Sequence, residues 1–190
     1  MCYHKELKAT PKQLKERFTA KFPLEEDFEP KEFINGFEKP LCPVITNEDP
    51  GTIQLYHWGL IPHFELRIRQ GNTLNAVFET LSKTKSYRNY LEQRCLIPAT
   101  GIYEWKKVGR YKEKKKYSIA DQQIFSLAGL WNRCIDPTTN LAMETYTIIT
   151  KDGSAAILLD EQDWLENGRI AINTNEILIH LTPPQLGLFE

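Results

Sequence analysis

The sequence lacks any apolar run approaching the roughly 18 to 20 residues that spanning a bilayer requires. Its first residues include Lys5, Glu6 and Lys8 where a secretory leader would carry an apolar stretch. The expectation is an intracellular protein, cytoplasmic or nucleoid-associated in a bacterium, with no membrane partner. Cysteine is sparse: Cys2, Cys42, Cys95 and Cys134 are scattered, with no C-x-x-C pair and no paired histidine spacing. That excludes a disulfide framework and a zinc motif, so no metal and no cofactor is expected, and three of the four read as buried thiols. An excess of one charge is missing too. The balance of 24 basic and 25 acidic residues excludes a globally basic nucleic-acid binder. Internal repeats, low-complexity linkers and steps in composition are all lacking, which predicts one domain over residues 1–190.

What is present fits a soluble globular chain: 41% hydrophobic and 26% charged residues. Thr10-Pro11 followed by "KQLKERFTAKF" reads as a helix start, with Leu14, Phe18 and Phe22 on one face, and this helix should lie close to Cys2. "PLCPVITNEDPGTIQLYHWGLIPHF" reads as short strands around an Asp49-Pro50-Gly51 turn. "LNAVFETLSKTKSYRNYLEQR" reads as a second helix. Strands follow at "CLIPATGIYEWKK", broken by Pro98 and Gly101, then at "YSIAD", "IFSLAGLWNRC" and "ETYTIIT". Between them, Lys106, Lys107, Arg110, Lys112, Lys114, Lys115 and Lys116 crowd around Gly109. This run reads equally as a solvated hairpin tip or a phosphate-contacting surface. The fold class predicted is α+β, with mostly antiparallel strands curled into a barrel-like core and a few peripheral helices.

Cys2 raises a chemical question. Aminopeptidases remove Met before a small second residue, and processing would leave Cys2 with a free α-amine beside its thiol. Taken alone, a second-position cysteine reads first as chance.

Several stretches together change that reading: Met-Cys at the start, "WGLIPHF" (58–64), "NAVFET" (75–80), "RCLIPATGIYEW" (94–105), "LAGLW" (127–131) and "YTIIT" (146–150). In this order they resemble the SOS-response-associated peptidase (SRAP) family, from residue 2 to about residue 165. The resemblance implies a sensor of abasic sites in single-stranded DNA that cross-links itself to the lesion. An abasic sugar equilibrates with an aldehyde, which an unprotonated amine attacks to give a Schiff base. An α-amine, with an ordinary pKa of about 7.7 to 8.0, is more often unprotonated at neutrality than a lysine. The thiol of the same residue can then close a five-membered thiazolidine.

The resemblance also assigns roles. Glu104 would move protons during ring opening and imine formation, from a position made partly buried by Ile102, Tyr103 and Trp105. Asn75 would hold the cysteine amine and the sugar hydroxyls, although alone it reads as a helix cap. Trp58 would offer a stacking face to a base, Arg88 a phosphate contact, and Thr150 a hydrogen bond in the site. The chain also departs from the family pattern. Tyr3 and His4 stand for Gly and Arg, Val77 stands for Arg, and the family His after "TIIT" has no counterpart in "TKDGSAAILLDEQDWL". A genuine deletion and an omitted loop both explain that gap, and the abrupt join favours the loop. His57 and His63 flank "WGLIP" and could lie near the site; no catalytic role falls to them, to His4 or to His180.

The activity this implies is that of a monomeric, peptidase- or lyase-like enzyme with an N-terminal cysteine nucleophile. Two other readings stay open: an N-terminal-nucleophile amidohydrolase that uses the Cys2 thiolate, and a non-catalytic binder of single-stranded nucleic acid. A retained Met1 would block the amine in any of them.

Overall fold

A computed structural model describes residues 1–63, 73–119, 123–135 and 139–170. Its centre is a closed five-stranded barrel. Strand β3 (Leu41–Thr46) pairs antiparallel with β4 (Gln54–Trp58) on one side and with β6 (Arg94–Ala99) on the other. The ring continues through β9 (Phe125–Ile135) to β10 (Ala142–Lys151), which closes it by a parallel pairing with β4. Closure leaves these strands without a free edge. Two short strands extend β10: β5 (Asn75–Val77) runs parallel to it, and β11 (Ser154–Ala155) folds back on it.

A second sheet covers one side in the order β2 (Lys31–Asn35), β1 (His4–Leu7), β7 (Gly101–Val108), β8 (Tyr111–Tyr117), all antiparallel. The Lys-rich stretch is the β7–β8 hairpin. Val108 faces Tyr111 across a two-residue turn in which Gly109 has a φ of +62°, a conformation that costs glycine little.

The barrel interior is filled by apolar side chains that form one contiguous cluster. Packing there is close: a Cβ on Gly129 would lie 2.5 Å from Ile97 Cδ1 and 2.8 Å from the Thr147 carbonyl. Strands β9 and β10 read as continuous apolar runs because Phe125–Trp131 and Thr145–Thr150 are buried throughout. These observations agree with the predicted fold class.

Helix α1 (Pro11–Phe18) starts where the sequence predicts. Thr10 accepts from the Gln13 amide at 3.3 Å, and the Gln13 side chain accepts from the Thr10 amide at 2.8 Å, a reciprocal capping box. It ends earlier than predicted because Thr19 turns left-handed, with a φ of 49°. The predicted second helix is absent. Residues 75–77 form β5 because they pair with Ile148–Thr150, and a 3-10 turn over Phe78–Thr80 and further turns follow. Thr84 donates its hydroxyl to the Thr80 carbonyl at 2.8 Å. Such side-chain bonds compete with a helix ladder, and the sheet pairing settles the competition. The second helix of the structure, α2 (Glu161–Asn167), is capped by Asp160 and lies in the acidic segment after β11.

Candidate active site around Cys2

Cys2 precedes β1 and is fully buried. Its backbone nitrogen donates to Asn75 Oδ1 at 3.1 Å, and its thiol donates to the His4 carbonyl at 3.5 Å. Burial pushes the thiol up to about 12, and the Glu104 carboxylate adds to the shift while Lys5 opposes it. Met1 is exposed, and its ammonium donates to the Gly153 carbonyl in the β10–β11 turn.

Asn75 begins β5, and three contacts fix it there. Its neighbour across the sheet is Ile148, Tyr87 donates to its carbonyl at 2.8 Å, and Trp58 Nε1 donates to the carbonyl of Leu74 at 2.9 Å. Its amide oxygen is held by Cys2, while its Nδ2 is buried without a partner among the described residues. Glu104 sits on β7, two residues from the Ile102 that faces Lys5, and its Oε1 is likewise buried without a partner. A buried donor and a buried acceptor, each without a partner among the described residues, are groups that a polar ligand could satisfy.

Other residues predicted from the sequence are placed differently. Trp58 has 0% exposure and lies within the core. Its ring stacks on Tyr146, with centroids 6.2 Å apart, and a Cβ on Gly36 would lie 3.1 Å from it. No face is left for a base, so Trp58 is a support of β5 and not a stacking platform. Thr150 is also buried, in register with Val77 and Ala155. Arg88 is exposed, on the turn beside the Tyr87 that fixes Asn75. His57 donates from Nδ1 to the Lys39 carbonyl at 2.9 Å, and His63 packs its ring on Tyr90, 5.5 Å between centroids; neither has a contact with Cys2, Asn75 or Glu104 among the described residues. His180 lies outside them.

The expected omitted loop after "TIIT" is not needed. Thr150 pairs with Ala155 and Lys151 with Ser154 across Asp152 and Gly153, whose φ values are 50° and 83°. The chain closes there in a tight hairpin, and the family histidine is absent from this sequence.

Sequence reasoning missed the aromatic surface beside the site. Tyr3 stacks on Phe37, with centroids 5.0 Å apart, and His4 stacks on Phe33 at 4.8 Å. Lys114 Nζ lies 3.9 Å from the Phe33 centroid and 4.4 Å from that of Tyr103. Burial and Lys114 hold the His4 imidazole below its ordinary value. Trp105, next to Glu104, is 51% exposed. The alternation of β7 was the available signal: with Glu104 turned inward, its neighbours must turn out.

Among the described residues, no cluster of three His, Cys, Asp or Glu side chains is placed to hold a metal ion, and no helix is long and apolar enough to cross a membrane.

Known proteins share the fold. A crystal structure of a protein from Bacteroides thetaiotaomicron superposes with a TM-score of 0.78 at 28% identity, covering 93% of this chain and 84% of that one. One from Bordetella bronchiseptica gives 0.75 at 22% identity, over 93% and 96%. The abasic site processing protein YoqW of Bacillus subtilis is 35% identical over 137 residues, 64% of this chain and 61% of that protein. The abasic site processing protein YMR114C of Saccharomyces cerevisiae is 31% identical over 125 residues, 64% of this chain and 32% of its own length. The chain therefore matches about three fifths of the first relative and a third of the second. The family model for SOS response associated peptidase (SRAP) matches residues 1–159, most of the chain, and the chain therefore belongs to the SRAP family.

Proposed function

We propose that this chain processes abasic sites in single-stranded DNA by forming a covalent adduct through Cys2 once Met1 is removed. The observation that carries the reading is the 3.1 Å contact between the Cys2 nitrogen and Asn75 Oδ1. Removal of Met1 converts that nitrogen from an amide to an amine without requiring it to move. The amine adds to the sugar aldehyde, and the carbinolamine loses water to give an imine. The Cys2 thiol then adds across the C=N bond to close the thiazolidine. Glu104 is suited to carry protons to the sugar oxygen and the leaving water, and the Asn75 Nδ2 is suited to donate to a sugar hydroxyl.

The names of the relatives support the substrate class. The exposed Trp105 and Phe37 support a single-stranded partner, because stacking requires an unstacked base. Arg88 supplies a phosphate contact, and one copy of the chain suffices for the chemistry. The amidohydrolase alternative requires the Cys2 thiolate to attack first, and burial pushes that thiol up to about 12. An amine-first sequence avoids a free thiolate at the opening step.

The test is the mass of the protein after incubation with an abasic oligonucleotide. Met1-free protein should gain the oligonucleotide stably. Cys2→Ser should give only an imine that borohydride traps. A stable adduct formed by protein with a blocked N-terminus would sink the reading.

A further inference from the structure

The outer face of the second sheet carries aromatic rings and cations side by side. Successive side chains of a strand turn to opposite faces. Ile102 and Lys5 are buried and Glu104 buries its Oε1, so their neighbours Tyr103, Trp105 and His4 turn outward. The register sets His4 opposite Tyr103, and on β8 it sets Lys116 opposite Tyr103 and Lys114 opposite Trp105. Phe33 of β2 joins this face: its ring stacks on His4 with centroids 4.8 Å apart and lies 5.3 Å from that of Tyr103. Phe33 is 41% exposed and Trp105 51%.

The Lys-rich hairpin supplies the charge of this face, and its lysines divide. Lys116 Nζ is held by the buried Glu6 carboxylate at 2.6 Å, and Lys115 Nζ lies 3.5 Å from Glu113. Lys114 is exposed, and no salt bridge joins it to a carboxylate among the described residues. Its ammonium sits instead 3.9 Å from the centroid of Phe33 and 4.4 Å from that of Tyr103. The two rings hold the charge in place without neutralising it. An anion reaching this face meets a cation already positioned, and Trp105, directly across the strand pair, offers a flat apolar surface beside it.

A fixed cation next to an exposed ring fits a polymer that alternates anionic groups with flat bases. The face is also continuous with the site, since His4 is two residues from Cys2 and Trp105 adjoins Glu104. We propose that the outer face of the β2-β1-β7-β8 sheet is a track for the single strand flanking the lesion, with Lys114 on a phosphate and Trp105 under an adjoining base. The proposal rests on the abasic-site reading above and deepens it, giving the flanking strand a path and the hairpin a use. With a net charge of −1 the chain has no general field to draw DNA in, so a local cation must do so. An acidic peptide would satisfy Lys114 and leave the rings of Trp105 and Phe33 idle.

The experiment titrates the full chain and its variants with an intact fluorescent single strand of about 12 nucleotides at several salt concentrations. Lys114→Gln should bind about three- to fivefold more weakly, and the slope of log affinity against log salt should shrink by about 0.7, the share of one phosphate on a single strand. Lys114→Arg should restore both. Lys12→Gln, which removes an exposed cation from α1, should change neither. Thermal melts establish that each variant is folded, and polyglutamate should fail to displace the strand. Absence of binding by the parent, equal affinity and slope in Lys114→Gln, or displacement by polyglutamate as effective as by unlabelled oligonucleotide would overturn the proposal. Adduct formation on an abasic strand is scored separately. A parent that forms no adduct but shows the Lys114 effect keeps the track and loses the cross-linking reading, and an adduct-forming parent without that effect does the opposite.

Discussion

At the residue scale, two tryptophans are placed in opposite surroundings. Trp58 is enclosed and donates to Leu74, whereas Trp105 stands half in solvent beside Glu104. Trp58→Phe should therefore lower stability by about 1 to 3 kcal/mol, the cost of leaving a buried carbonyl without its donor, and leave the affinity of the folded protein for single-stranded DNA unchanged. Trp105→Ala should do the reverse, weakening binding by about 1 to 3 kcal/mol per lost stack with little change in melting temperature. Denaturant melts and fluorescence titrations of the two variants separate the roles. Glu104→Gln should keep affinity and slow adduct formation by about a hundredfold; a variant that cross-links at the parent rate would make Glu104 structural. The ordered motifs single out Cys2, Asn75 and Glu104, and the fold sets Asn75 against the Cys2 nitrogen with Glu104 near enough to act on the thiol. The facing of Trp58 and Thr150 was not legible. In β10 the residues up to Thr150 are buried in succession, and a strand apolar on both sides carries no alternation to say which side chains reach solvent.

At the scale of elements, local chemistry and long-range pairing divide the outcome. Helix α1 was legible because its start is written in adjacent residues, Thr10, Pro11 and Gln13. Thr10→Ala should remove a cap and cost about 1 kcal/mol, measured by urea unfolding at constant slope. The segment over residues 74–94 was misread because its apolar spacing suits a helix, while its partner for β5 lies in β10, more than seventy residues on. No window of sequence contains that pairing. The β10–β11 hairpin was hidden for a different reason: its pairing is local, but the returning strand is only two residues long.

At the scale of the whole molecule, the barrel buries groups that ionise in base. Burial raises Cys2 from 9.0, and Tyr56 and Tyr87 from 10.0, each to about 12. In the unfolded chain these groups lose protons at the lower values, so above pH 9 the folded state binds more protons than the unfolded one. Stability then falls as pH rises, by up to about 1.4 kcal/mol per pH unit for each group that differs. Lys5 has the opposite sign: its lowered value favours folding as pH rises towards 10.5. Urea midpoints measured between pH 8 and pH 12 should decline, and Cys2→Ala should lessen the decline. The order of the strands also has a consequence in time. The strand that follows Cys2 pairs with β7, and Glu104 lies on β7. During synthesis the surroundings of Cys2 are thus incomplete until residue 104 has been made, on the order of 5 to 20 seconds at ordinary elongation rates. Through that interval the first two residues are open to an aminopeptidase, and the buried site that the finished fold builds around them is a record of whatever was removed before it closed.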